Sequence, residues 1–425
     1  MSSWRGSEQL AANSHCSLPL PTATAHYLLF TILAPVRKIR YLIFLKDVLI
    51  LACTTFGGPQ VHLAMMFERF VKKRAYLTEA ELLELNALCQ ILPGPTSTQT
   101  ITALGFKIGG PNLAYLTLLV WCLPAVVIMT AFGMTVDYLQ DQNQSLRFAR
   151  FIQPMAVGFL IVAGYRIAQK VIQNQSGLVL AILAALTAYA FRSPYVTPIV
   201  ILAGGVTTAF TYEKHSVMEK QPLRIEWANF ILWLGVFVGV AVLGAVTQSL
   251  PIRLFENFYR NGSLVFGGGQ VLTPMLYNEF VAFKHYLTRE EFLSGLGMVQ
   301  AVPGPVFAFA SYIGALSMRD EGIRGQLLGS AVSTAGIFLP GTFLIFFVYR
   351  FWGQLKRYRV VRASLDGINA ASTGLTAAAA IALFEPMAPQ WPMVAVVLGT
   401  ILVLELTKIP PFVLILGGLG LGLLF

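Results

Sequence analysis

Residues 56–95 read FGGPQVHLAMMFERFVKKRAYLTEAELLELNALCQILPGP, and residues 266–305 read FGGGQVLTPMLYNEFVAFKHYLTREEFLSGLGMVQAVPGP. The two stretches align without a gap at an offset of 210 and agree at 17 of 40 positions. Chance would give roughly two or three. The identities open with Phe56/Phe266, Gly57/Gly267, Gly58/Gly268 and Gln60/Gln270, and close with Pro93-Gly94-Pro95 against Pro303-Gly304-Pro305. The chain is a tandem duplication. It divides into a leader at 1–38, a first repeat at 39–212, a polar linker at 213–226 and a second repeat at 227–425.

Of the 425 residues, 12% are charged and 56% hydrophobic, whereas soluble domains carry about 25% charge. Apolar stretches of about bilayer-spanning length recur along the chain. Candidate spans lie near 40–57, 86–107, 113–136, 151–170, 177–192 and 196–212, then 227–247, 255–268, 292–316, 326–350, 367–385, 392–407 and 411–425. The fold class is an all-α polytopic membrane protein with about 10–13 transmembrane segments, its native partner the lipid bilayer. That excludes a soluble enzyme, a nucleic-acid-binding module and a disulfide scaffold. The leader's apolar stretch, Tyr27–Ala34, is only eight residues long, and small residues precede it, the reverse of a cleaved signal peptide; the leader reads as a disordered or interfacial tail. The segments at 40–57 and 255–268 are short, end in glycines, and fit half-helices that do not cross.

Each repeat carries its own punctuation. Thr78-x-x-Glu81 and Thr288-x-x-Glu291 match a capping box at the start of an apolar helix. Each helix then meets Pro-Gly-Pro, where lost donors and a permissive glycine stop regular helix. The pattern is a helix broken within the membrane and restarted. With every candidate crossing, the loops hold 17 Lys and Arg on the N-terminal side and 11 on the other. The positive-inside rule then puts the N-terminus in the cytoplasm, with Arg69–Arg74 dissenting. The two Gly-Gly motifs are separated by an odd number of spans, so the repeats are inverted, an architecture of secondary transporters.

Candidate substrate contacts follow from these breaks. Gly57, Gly58, Pro59 and Gln60, and Gly267, Gly268 and Gln270, could present backbone N–H groups to an anion or simply pack helices closely. At Pro93, Gly94 and Pro95 a restarting helix offers free N–H groups and a positive dipole end. Thr96, Ser97, Thr98 and Gln99 add neutral donors suited to a tetrahedral oxyanion. The second copy keeps Pro303, Gly304 and Pro305 but follows them with Val306-Phe307-Ala308-Phe309-Ala310. The polar half is expected to contact substrate, the apolar half to shape or gate the path. His62, replaced by Leu272 in the second half, is either a proton carrier or a packed histidine. Glu68, Arg69 and Glu279 are further proton-coupling candidates.

Four cysteines and five histidines show no paired ligand spacing, so no metal or other cofactor is expected. There is no Walker signature and hence no nucleotide partner. No paired catalytic carboxylates or histidines lie at membrane depth, which speaks against an enzyme. The net charge of +10 marks loops and biases the chain modestly toward anions.

The Phe56–Pro59 motif, the Glu68–Arg74 stretch, the Pro93–Gln99 motif and their partial copy at 266–305 resemble the chromate ion transporter family in its long, two-domain form. The resemblance covers roughly residues 40–425. It implies secondary transport of chromate out of the cytoplasm across the plasma (inner) membrane, and chromate resistance in some members. Sulfate is a related substrate and protons are the coupling partner. The alternative is an importer or channel for sulfate or another oxyanion on the same fold. A homodimer is one assembly such a chain could form.

Overall fold

The structure, a computed structural model, describes residues 23–56, 59–141, 151–172, 174–191, 196–210, 225–266, 269–355, 358–387, 389–407 and 409–424. The Gly57-Gly58 and Gly267-Gly268 motifs, most of the leader and most of the linker therefore lie outside the described residues. Two compact units are present, one ending at Lys46, the other Asp47–Phe425. Helix α1 (Ala23–Thr54) begins in the first. The architecture below is that of the second.

The first half continues with α2 (Pro59–Met66), which runs on as π-helix over Phe67–Lys73. Then come α3 (Glu79–Ile91), α4 (Thr96–Asp141), α5 (Ile152–Val171), α6 (Gln175–Ala190) and α7 (Val196–Ala209). Helix α8 (Ala228–Thr247) leads into the second half. That half comprises α9 (Leu250–Leu264), α10 (Gly269–Tyr277) with its π-helical continuation Asn278–Phe283, α11 (Arg289–Ala301), α12 (Phe309–Ser317) and α13 (Gly322–Tyr349). It ends with α14 (Trp352–Leu355), α15 (Arg359–Phe384), α16 (Trp391–Leu406) and α17 (Pro411–Leu424). No strand occurs among the described residues.

The duplication is visible in the backbone. Positive φ recurs at Ala75 (49°) and His285 (54°), at Gly94 (120°) and Gly304 (101°), and at Gly110 (76°) and Gly322 (67°). Both predicted capping boxes form: Thr78 and Thr288 accept from the N–H of Glu81 and Glu291, whose carboxylates return to the Thr N–H.

Each half opens with two helical hairpins. In the first, the end of α1 from Asp47 onward and the α2–π segment run antiparallel, because Asp47, two turns before the end of α1, bonds Arg69 (2.5 Å) and Arg74 (2.7 Å). In the second, α3 and the start of α4 are antiparallel, because Glu81 at the head of α3 pairs with Lys107. The second half repeats both closures. Glu279 bonds Arg260 of α9 (3.0 Å) and Lys284 (3.1 Å), and Glu291 pairs with Arg319. The expected half-helices at 40–57 and 255–268 are thus the first arms of hairpins. The Pro-Gly-Pro breaks do more than interrupt a helix that crosses: they reverse it. Residues 86–107 form a tip, and the crossing begins after Gly110, where α4 turns sharply a second time.

From there α4, α5, α6, α7 and α8 follow, an odd number of helices before the second pair of hairpins begins, and of these α4 and α8 are long and apolar enough to span. Ion pairs and hydrogen bonds sort the ends onto two faces. Arg166–Glu405 (3.0 Å) and Glu226–Arg350 lie on the face of the first half's hairpin bases. Gln153–Ser294 (3.4 Å) and Tyr189–Glu385 (3.3 Å) lie on the face of the second half's bases. The repeats are inverted. Four helices are long and apolar enough to span, among them α8, α13 and α15. Helix α8 leaves Ile231, Leu234, Val238, Val242 and Val246 exposed, as a helix facing hydrocarbon does.

Glu279 is buried between two cations, whereas the Lys107–Glu81 pair is part-exposed. Glu279→Ala should therefore cost about 3–5 kcal/mol by stranding buried charge, and Lys107→Ala about 0–1 kcal/mol. Thermal unfolding of the detergent-solubilised protein checks the difference; equal midpoints would contradict the Glu279 closure of the second half's first hairpin.

Candidate functional site

The hairpin tips converge from opposite faces. The Gly94 N–H donates to the carbonyl of Val265 (2.7 Å), and the Gly304 N–H donates to the carbonyl of Thr55 (2.9 Å). Both residues of the first bond are related to those of the second by the offset of 210. It is one contact made twice about a pseudo-two-fold axis. Each Pro-Gly-Pro tip thereby caps the first hairpin of the other half. At both glycines φ lies where only glycine is comfortable.

Around this junction the first half is polar. His62, 1% exposed on α2, meets the Ser97 hydroxyl through Nδ1 at 2.9 Å. Its Nε2 is buried without a partner. The His62 ring stands edge-on to Trp121 of α4, with centroids 5.2 Å apart. The Trp121 Nε1–H donates to the Thr98 hydroxyl (3.1 Å). Gln99 Nε2 donates to the carbonyls of Pro93 (2.7 Å) and, from the second half, Gly341 (3.3 Å). A Cβ on Gly94 would stand 2.9 Å from that amide nitrogen. The Oε1 of Gln99 and the hydroxyls of Thr55 and Thr102 are also buried without partners. So several unmatched hydrogen-bonding groups sit in or beside one junction, where each costs free energy unless something binds it. The N-terminus of α4 adds free N–H groups and a positive dipole end.

The second half presents the apolar counterpart. Phe307 packs toward Phe338 (6.3 Å), and Phe309 lies across Phe292 (5.0 Å). Leu272, in place of His62, is buried. Trp121 and Ala125 of α4 approach Gly304, so one helix touches both tips.

Thus Pro93, Gly94, Ser97, Thr98, Gln99, His62 and Gly304 come together, and Thr96, Pro95, Pro303 and Pro305 flank them. Pro59 starts α2; Gln60 and Gln270 are described only as helical backbone in α2 and α10. The remaining ionisable candidates lie elsewhere. Glu68 is exposed and paired with Lys72 (2.6 Å), about 14 Å along the helix from Pro59. Arg69 and Glu279 belong to the hairpin bases. Sequence reasoning missed Trp121, Thr55 and the Arg260 partner of Glu279. Thr55 immediately precedes Phe56-Gly57-Gly58, a local signal; the partners of Trp121 and Glu279 are set by tertiary packing alone. Among the described residues no three His, Cys, Asp or Glu side chains are grouped to hold a metal ion.

Gly94→Ala should destabilise more than Gly304→Ala. The first Cβ stands 2.9 Å from the Gln99 amide nitrogen, and the second comes no nearer than 3.3 Å, to the Ala125 methyl. Melting of the two variants tests this, and a larger drop for Gly304→Ala would contradict the packing around Gln99.

The model of the chromate transporter family matches residues 42–209 and again 252–423, one copy per half. The chain is 25% identical over 346 residues to the chromate transport protein of Pseudomonas aeruginosa, covering 80% of each chain. It is 24% identical over 396 residues to that of Cupriavidus metallidurans, covering 92% of this chain and 94% of the relative. An uncharacterized transporter of Methanocaldococcus jannaschii is 24% identical over 345 residues, covering 80% and 83%. No solved structure matches the chain. With a family match over both halves and four hairpins built on the duplicated motifs, this membrane protein belongs to the chromate transporter family.

Proposed function

We propose that the protein is a secondary transporter that carries chromate out of the cytoplasm, with sulfate as a competing oxyanion and protons moving inward in exchange. The observation that carries this is the junction of the two Pro-Gly-Pro tips. The unmatched His62 ring nitrogen and Thr55 hydroxyl, together with the hydroxyls of Ser97 and Thr98, surround it, while the Gln99 amide is turned onto the carbonyls of Pro93 and Gly341. A tetrahedral dianion can accept hydrogen bonds from hydroxyls, imidazole and helix N–H groups without meeting a fixed cation, so it can be released. The apolar Phe307–Phe309 side then restricts the path. The relatives' names support chromate as the substrate.

Orientation supports export. With the tips read as re-entrant, 10 of the 16 described Lys and Arg residues from Asp47 onward fall on the face of the first half's hairpin bases, against six on the other. Arg69–Arg74 now joins the majority. By the positive-inside rule that face is cytoplasmic, as is the N-terminus, in the plasma membrane. The basic Arg69–Arg74 mouth then faces the compartment from which an anion is collected. An inside-negative potential of 100 mV adds about 2.3 kcal/mol per charge. For a dianion this is about 4.6 kcal/mol, a gradient of about two thousand. Nucleotide hydrolysis is not needed.

Uptake of labelled chromate into everted membrane vesicles tests this. Accumulation driven by an imposed potential or proton gradient, and reduced by sulfate, is the expected result. Uptake by intact cells with none by everted vesicles would establish an importer instead. Ser97→Ala with Thr98→Val should lower everted-vesicle uptake by about tenfold, or about 1.4 kcal/mol, at normal expression. Wild-type uptake by that double variant would remove the polar tip from the site.

A further inference from the structure

Helix α4 carries several threonines, and Thr98 is held differently from most of them. Thr100, Thr117, Thr130 and Thr135 each donate their hydroxyl proton to the carbonyl four residues back, at 2.7–2.8 Å. That is the ordinary habit of a threonine inside a helix. Thr98 makes no such return among the described residues. Four residues back stands Gly94, outside the helix with φ 120°. Among the described residues the Thr98 hydroxyl, on a residue 2% exposed, has one partner, the indole Nε1–H of Trp121 at 3.1 Å.

The chemistry of that partner fixes the polarity of the hydroxyl. An indole nitrogen has a proton to give and no lone pair to receive one. The Thr98 oxygen is therefore the acceptor, and its own proton is left for another group. The neighbouring pair is not fixed in this way: between His62 Nδ1 and the Ser97 hydroxyl at 2.9 Å either atom can donate. Trp121 is itself firmly placed. It is fully buried, and its ring stands edge-on to His62. Its carbonyl lies 3.8 Å from where a Cβ on Gly304 would stand. The Thr98 proton is thus a buried donor at the junction of the tips, and such a donor costs free energy until an acceptor reaches it.

The second half lacks the whole arrangement. The tips give the register: Gly94 faces Gly341 and Gly304 faces Ala125, so Leu123-Pro124-Ala125 matches Leu339-Pro340-Gly341. Trp121 then corresponds to Ile337, and Thr98 to Ala308, both fully buried. Donor and acceptor are absent together from the apolar tip, so the indole N–H occurs only where the hydroxyl does.

Resting on the oxyanion reading above, we propose that Trp121 is a positioning residue for the substrate. Its N–H holds the Thr98 oxygen as an acceptor and thereby aims the Thr98 O–H at an oxygen of the bound anion. The anion oxygen that meets Thr98 is unprotonated, because a donor faces it. Trp121 acts through Thr98 and is not itself a substrate ligand.

The test is equilibrium binding of labelled chromate to the purified full chain in detergent, for wild type, Trp121→Phe, Thr98→Val and the double variant. Thr98→Val should weaken binding about fivefold and Trp121→Phe about threefold. In the Thr98→Val background Trp121→Phe should add less than about 1.5-fold, since the hydroxyl it orients is gone. An equal loss in both backgrounds overturns the inference, because Trp121 then acts by packing alone. Wild-type affinity in Trp121→Phe, with Thr98→Val weakened, also overturns it and leaves the tip site standing. Wild-type affinity in Thr98→Val overturns the reading of the tip as the oxyanion site, and the inference with it. In everted vesicles the Trp121→Phe defect should appear as a raised KM; a lowered Vmax at unchanged KM overturns the inference. If Trp121→Phe does not fold, benzothienylalanine at position 121, which keeps the ring shape and lacks the N–H, is measured in its place against the same outcomes.

Discussion

The fold depends on a backbone problem and its reciprocal solution. Four hairpins stop within the bilayer, and each tip exposes peptide groups where no lipid can satisfy them. An unmatched group there costs several kcal/mol. The Gly94 N–H to Val265 carbonyl bond and the Gly304 N–H to Thr55 carbonyl bond answer this. Neither half can make its own bond, because each tip finds its acceptor in the other half. Duplication is therefore a structural requirement as well as a history. The two copies must face each other with opposite orientation for the tips to meet.

That requirement leaves freedom in what surrounds the bonds, and the halves use it differently. The hairpin closures keep one buried carboxylate between two cations but exchange its place. Asp47 lies on the first arm, and Glu279 on the second. The first tip carries Ser97, Thr98 and Gln99 with His62 and Trp121, and the second carries Phe307 and Phe309. The α4–α13 contact is polar toward one face and aromatic toward the other. A symmetric scaffold with asymmetric linings provides the two distinct sides that directional transport of an anion against a proton would need.

Much of the scaffold was legible in the residues. The offset of 210, the two capping boxes and the two Pro-Gly-Pro breaks are local patterns, and each formed where the spacing placed it. The reversal at the breaks was not legible. A proline-glycine interruption stops a helix without stating the direction of the next one, and only the Glu81–Lys107 and Asp47–Arg69 pairs reveal the return. This is also why Arg69–Arg74 looked out of place in a topology where every apolar stretch crossed. Within the site, Ser97, Thr98, Gln99 and His62 were found from donor chemistry beside a helix start. Trp121 was not, since an isolated tryptophan in an apolar helix carries no sign of the residue it meets 23 positions away.

The central claim is that the meeting tips bind the oxyanion. Anomalous diffraction at the chromium edge, from crystals of the protein soaked in chromate, addresses it most directly. The account predicts one strong peak within hydrogen-bonding reach of His62, Ser97 and the N-terminus of α4. That peak should vanish under excess sulfate and in the Ser97→Ala, Thr98→Val variant. A peak confined to the Arg69–Arg74 mouth, with none at the tips, would contradict it.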